Sequence, residues 1–251
     1  MQVHDVDPLL PDRFRPVDGL RSVRLSEVAS LADLLETISS LRRNDPAARF
    51  LCTLDSLGQC CYTSMHALED PRLDVPSYED GAGPAHEQAR LRQVAAKLDD
   101  PALRFSWEAL PGTVVTNVAD VEALVTVNRE PDAVLDDVVY VQPLPVERDD
   151  LLIAGLPNGY FSADWDVFQN HAVIRRLHER HGYRFFGIGA AWLGFLRDDP
   201  TSPASDVVAD LVHLYGWAEE AADSWRALGD LVERNGWLFL GYAEDFAEAL
   251  G

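Results

Sequence analysis

The residues with the most varied chemistry in this chain gather between Asn158 and Arg184. Asp164, Asp166 and His171 follow the aromatic Tyr160, a set of groups suited to orienting a cation or acting as a general base. They are weak catalytic candidates. His178 and His181 continue the same predicted helix. His171 and His178 are seven positions apart, which separates them by about 10.5 Å along a helix axis. Between them on that face stand Ile174 and Arg175, neither a metal ligand. His178 and His181 are near enough to converge, but Arg175, Arg176, Arg180 and Arg184 repel a cation. The His-Glu-Arg-His run also lacks the zinc-protease spacing of two histidines four apart. Neither a metal nor a cofactor is expected.

The stretch Arg175–Arg184 holds four arginines and one acid, the clear basic island of the chain. Arg176 and Arg180 suit an anion site built from guanidinium forks; the plainer reading is pairing with the acidic surface. Elsewhere the signal for nucleophilic catalysis is poor. There is no Gly-x-Ser-x-Gly elbow. Cys60-Cys61 lies near His66, a thin basis for a Cys–His dyad. Gly187-x-Gly189 falls between predicted strands and opens no helix, so it is no phosphate-binding fingerprint. The acidic doublets Asp99-Asp100, Asp136-Asp137 and Asp149-Asp150 are expected to face solvent.

Charge gives the stronger statement. The chain of 251 residues carries 42 acids against 21 basic residues, a formal charge of −21. Such a surface repels nucleic-acid phosphates and anionic membranes and favours basic partners. Residues 198–251 are the acidic extreme, with 12 acids against two arginines. Trp217, Glu219, Glu220, Asp223 and Trp225 lie there, and exposed tryptophan beside acids would mark a protein-binding hot spot. The leading expectation is therefore a non-enzymatic acidic interaction module. One form would be an immunity-like inhibitor masking a basic protein surface. The alternative is a small-molecule-binding protein or enzyme with its site around Asp164, His171 and Arg176.

The elements that position these groups follow from periodicity and punctuation. A hydrophobic fraction of 47% suits a chain with a sizeable core. No apolar leader opens the sequence and no stretch is long enough to span a membrane, which suggests a cytoplasmic protein. Cys52, Cys60 and Cys61 fit reduced, mostly buried thiols. An irregular lead-in over 1–19 precedes a strand at 20–25 and a Ser30-capped helix to about Arg43. Strands are predicted at 49–54 and 59–64 around a hairpin loop, and a loop at 67–84. A helix from Pro84 to Asp99 follows. Strands are expected at 103–109 and 112–116, a short helix after Asn117, and a strand at 138–142. Residues 143–150 read as an exposed connection. Beyond it, Asp164 is expected to cap a helix ending at Gly182. An aromatic strand pair (183–189, 191–197), helices at 205–215 and 219–234, a strand at 237–242 and a terminal helix complete the chain. Mixed helices and strands without a βαβ rhythm indicate an α+β fold. The expected division is residues 1–145 and 146–251, with two similar αββαβ subdomains.

Residues 158–245 resemble a bacterial family known only as a C-terminal domain of unknown function. The likeness rests on Gly159-Tyr160, a helix leading to Arg180-His-Gly-Tyr183, and a strand pair. It continues through the Pro200–Pro203 loop, a helix ending in Leu214-Tyr215, and the aromatic strand Trp237-Leu-Phe-Leu-Gly-Tyr242 before Asp245. The family's Cys-Pro-Asp-type turn is replaced here by Gly-Trp-Ala-Glu-Glu after Tyr215. The resemblance implies fold and no activity.

Overall fold

A computed structural model describes residues 1–7, 15–76 and 83–250. The chain runs β1 (Gln2–Val6), β2 (Ser22–Ser26), α1 (Leu31–Asn44), β3 (Arg49–Thr53), α2 (Leu57–Ala67), α3 (Pro84–Asp99), α4 (Val118–Arg129) and β4 (Val138–Leu144). Then follow α5 (Val167–His181), β5 (Arg184–Ile188), β6 (Trp192–Leu196), α6 (Ala204–Tyr215), α7 (Ala222–Arg234) and β7 (Trp237–Gly241). The strands form one seven-stranded mixed sheet in the order β1-β2-β4-β3-β5-β6-β7. β3 and β5 pair in parallel; the other neighbours are antiparallel. The fold is α+β.

Burial explains the layering. Nearly every residue of β3, β5, β6 and β7 is buried. Successive side chains point to opposite faces, so helices and loops must cover both faces there. β1 is almost wholly exposed and forms one edge. Strands from both sides of residue 145 share this sheet.

Several elements fall where the sequence puts them. Ser30 caps α1 by accepting from the Asp33 N–H at 3.2 Å. α3 has the predicted bounds. Asn117 caps α4 in a capping box with Asp120. Gly182 ends α5 at φ +73°, where a Cβ would meet the Thr201 side chain at 2.8 Å.

Others differ. Residues 59–64 are helical. Leu57, Cys60, Ser64 and Ala67 are buried at the three- and four-residue spacing of one helix face. This tertiary demand overrides the strand preference of Cys-Cys-Tyr-Thr. Residues 30–67 therefore run helix–strand–helix, without the expected second strand. The segment 103–116 contains no strand, only a 3-10 turn at Trp107–Ala109. The lead-in carries strand β1, which pairs with β2; Pro8 and Pro11, read as part of that lead-in, lie outside the described residues. So do Gly81 and the rest of 77–82 in the predicted loop. Asp166, not Asp164, caps α5, in a box completed by Gln169. Within 143–150, Leu144 belongs to β4 and both Leu144 and Asp150 are buried. A buried 3-10 segment, Asp149–Gly155, follows.

Candidate functional site

The histidine-rich helix α5 is tied into the core. His171 is 3% exposed, and its Nε2 lies 3.1 Å from Asp150 Oδ2. Arg148 donates to the same carboxylate from Nε at 3.0 Å and Nη2 at 3.1 Å. Burial pushes the Asp150 carboxyl up, but the His171 and Arg148 hydrogen bonds outweigh it and hold it well below the usual carboxylate range. Asp150 thus departs from the expectation of a solvent-facing doublet. A buried imidazole on α5 beside Arg148 gives that carboxylate a reason to be inside.

A second network locks the other end of α5. His181 Nδ1 lies 2.6 Å from Ser202 Oγ and its Nε2 2.8 Å from Asp210 Oδ2. Arg176 clamps Asp210 from Nε at 2.7 Å and Nη2 at 3.0 Å. Nε2–H donation to Asp210 and acceptance at Nδ1 from the Ser202 hydroxyl would satisfy both ring nitrogens of a neutral His181. Burial lowers the His181 pKa despite that carboxylate. Burial raises Asp210, yet Arg176 and His181 leave it below its ordinary value. This array fastens the 198–203 loop and α6 onto the helix end. Arg176 is therefore spent on Asp210, and its guanidinium lies 4.9 Å over the Trp107 ring. Of the basic island, Arg184 meets Asp198 at 2.8 Å and Arg175 meets Glu179 at 4.0 Å. Arg180 is exposed and forms no ion pair among the described residues.

Asp164, Asp166 and His171 do not converge as one catalytic set. Asp166 accepts from the Phe168 and Gln169 N–H groups and from Arg72 Nη2 at 2.7 Å. Asp164 accepts from the Glu244 N–H at 3.0 Å, and burial raises its carboxyl pKa. Both line an open cleft of about 700 Å³ beside the end of α2, from which buried His171 is absent. Gly159 makes the entry to that cleft: at φ +96°, a Cβ there would sit 1.8 Å from the Trp165 carbonyl oxygen.

The acidic face separates the two tryptophans. Trp225 is 2% exposed and belongs to the core, as does Trp165 at 0%. Trp217 is 61% exposed. α6 ends at Tyr215, and Gly216 at φ +84° turns the chain outward. Thr116 Oγ1 donates to the Tyr215 carbonyl at 2.5 Å, next in sequence to Val115, which is 67% exposed. Glu219, Glu220 and Asp223 follow, all exposed. Asp223 pairs with Arg226 at 2.6 Å; Glu219 and Glu220 form no ion pair among the described residues. Asn117 Nδ2 holds exposed Asp245 at 3.4 Å. Sequence reasoning missed Val115, whose apolar neighbours suggested a strand.

Among the described residues, Asp55 and Asp120 are buried without a cationic partner; Asp120 accepts from the Asn117 and Ala247 N–H groups. Asp55 follows β3 where β3 and β5 end side by side. Its Oδ2 accepts from the Ala191 N–H at 3.0 Å, while Oδ1 is buried without a hydrogen bond. Burial lifts its pKa to about 7. All three cysteines are free thiols, Cys52 and Cys60 buried. Among the described residues no three His, Cys, Asp or Glu side chains converge as metal ligands, and no helix is long and apolar enough to cross a membrane. None of the protein-family models, curated proteins or solved structures compared with this chain matches it.

Proposed function

We propose that this protein is a non-enzymatic acidic interaction module of the cytoplasm that docks a basic protein surface at the edge formed by Val115 and Trp217. The observation that carries the reading is Trp217, 61% exposed and followed by Glu219 and Glu220. A large aromatic ring left in water supplies an anchor, and the acids around it choose a cationic partner and speed its arrival. An immunity-like inhibitor covering a basic catalytic surface is the concrete form. The likeness of residues 158–245 to a domain family of unknown function adds no chemistry to it. The alternative of a reaction centre at Asp164, His171 and Arg176 is the less favoured reading, because His171 is buried and does not line the cleft that Asp164 lines.

The test is affinity capture from native cytosol with the wild-type chain and Trp217→Ala side by side, at low and high salt. A basic protein retained by the wild type, released by salt and missed by Trp217→Ala supports the reading. Equal capture by both chains removes Trp217 from the interface and the proposal with it.

A further inference from the structure

The surface at the C-terminal end of α2 differs in kind from the Trp217 edge. Four rings there form a continuous wall. Tyr62 and His66 lie 4.7 Å apart between centroids, His66 and Tyr160 4.9 Å, and Tyr160 and Phe161 5.4 Å. Tyr62, Tyr160 and Phe161 are about half exposed, at 54%, 47% and 51%. A helix and a turn that leave this much aromatic area in water do so at a cost, since each ring is a large apolar body. Three of the rings, those of His66, Tyr160 and Phe161, line the 700 Å³ cleft.

The floor of the same cleft is anionic. Glu69, Asp70, Asp164 and Asp166 line it against one guanidinium, that of Arg72. Arg72 shows what the local chemistry favours. It bridges Asp70 and Asp166 and its guanidinium lies 4.4 Å from the Phe168 ring centroid. A cation placed between carboxylates and over an aromatic face is thus already part of the fold. Arg72 occupies Asp70 and Asp166. Asp164 retains one oxygen beyond its bond to the Glu244 N–H, and among the described residues the ion pair of Glu69 is with His66, at 3.4 Å.

We propose that this cleft binds an alkylated ammonium ion, with its methyl groups against Tyr160 and Phe161 and its charge answered by Asp164 and Glu69. The alkylated ion follows from the lining. A bare ammonium gives up strong hydration and requires several acceptors in return, and a guanidinium calls for paired carboxylate oxygens to meet its fork of donors. Here the exposed wall is ring carbon, and two of the four carboxylates are engaged. An alkylated ammonium sheds water at lower cost, keeps its charge, and is attracted by the ring faces. The open cleft leaves room for the rest of the ligand, whether that is a small molecule or a methylated lysine side chain. The cleft lining shares no residue with the Trp217 edge, and the site stands or falls independently of it.

Calorimetric titration of the full chain tests this with four probes: choline, its neutral carbon isostere, a trimethyllysine peptide, and the same peptide with unmodified lysine. Each cation is expected to bind roughly tenfold more tightly than its control. Choline binding alone assigns a free small molecule, peptide binding alone a protein side chain; either supports the site. Tyr160→Ala and Phe161→Ala are each expected to weaken binding roughly tenfold with unchanged melting, because both rings are surface groups. Tyr160→Phe keeps binding, which separates the ring from its hydroxyl. Equal affinity for the neutral isostere, no binding of either cation, or unchanged affinity in Tyr160→Ala overturns the proposal.

Discussion

Helix α5 and the Trp217 edge are both dense, chemically varied stretches, and they use charge in opposite ways. On α5 the two buried histidines are turned inward and matched, while Arg180 stays outside: His171 pairs with Asp150 beside Arg148, and His181 with Asp210 beside Arg176. At the Trp217 edge the acids are turned outward, and Glu219 and Glu220 are unmatched. The first arrangement spends its electrostatics on holding elements together. The second leaves them available to a partner. Side-chain variety alone does not mark a site; what distinguishes the two regions is that the buried charges of α5 are answered within the chain, while Glu219 and Glu220 are not.

The sharpest way to break this contrast is to remove a matched charge. Asp210→Ala leaves Arg176 without its carboxylate and His181 without its acceptor. It is expected to cost about 3 kcal/mol of stability, read as a lower denaturant midpoint, while partner capture at temperatures where the chain stays folded is unaffected. A loss of capture without a loss of stability would place α5 in the interface.

The buried acids sharpen the contrast through pH. Asp150, held below the ordinary carboxylate pKa, contributes stability above that value and loses it as the solution becomes more acidic. Asp55 has the opposite sign. Its pKa is raised from 3.8 to about 7, so its protonated form favours the folded state. That contribution is full below 3.8 and is lost as pH rises through about 7. Asp55→Asn is expected to flatten the fall in stability between pH 4 and pH 7 by on the order of 3 kcal/mol. An unchanged pH profile would show that Asp55 ionises inside the fold at little cost.

At the other region the effects are smaller and fall on binding. Trp217→Ala is expected to weaken docking by about 2 kcal/mol and to change stability by less than about 0.5 kcal/mol. The double change Glu219→Gln with Glu220→Gln is the mildest. It should slow association a few-fold at low salt and leave dissociation nearly as it was. Stopped-flow mixing with the captured partner reads both rates, and a faster dissociation instead would make these acids direct contacts.

Much of the fold was legible because its local signals agree with its tertiary demands. α3 starts at Pro84, and α5 ends at Gly182, where only a residue tolerant of positive φ fits. Legibility failed where the two disagree. Cys60-Cys61-Tyr62-Thr63 has strand-like composition, yet its buried positions recur at helical spacing once Leu57 and Ala67 are counted. β1 has no apolar face to signal it and exists through pairing with β2. At the candidate sites, Trp217 and Trp225 look alike as letters, and only packing sends one outward and the other inward. Asp150 read as solvent-facing because its partner His171 is 21 positions away. The ring wall of Tyr62, His66, Tyr160 and Phe161 joins α2 to a turn nearly a hundred residues later, beyond the reach of any local pattern.

The parallel pairing of β3 with β5 has a consequence for how the chain is made. Cys52 meets Gly187 across that junction, so the inner flank of β3 has no partner until 135 further residues have been synthesised. At ribosomal speeds that interval lasts on the order of ten seconds. Throughout it, the flank of β3 that β5 will cover offers unpaired backbone groups to any neighbouring nascent chain.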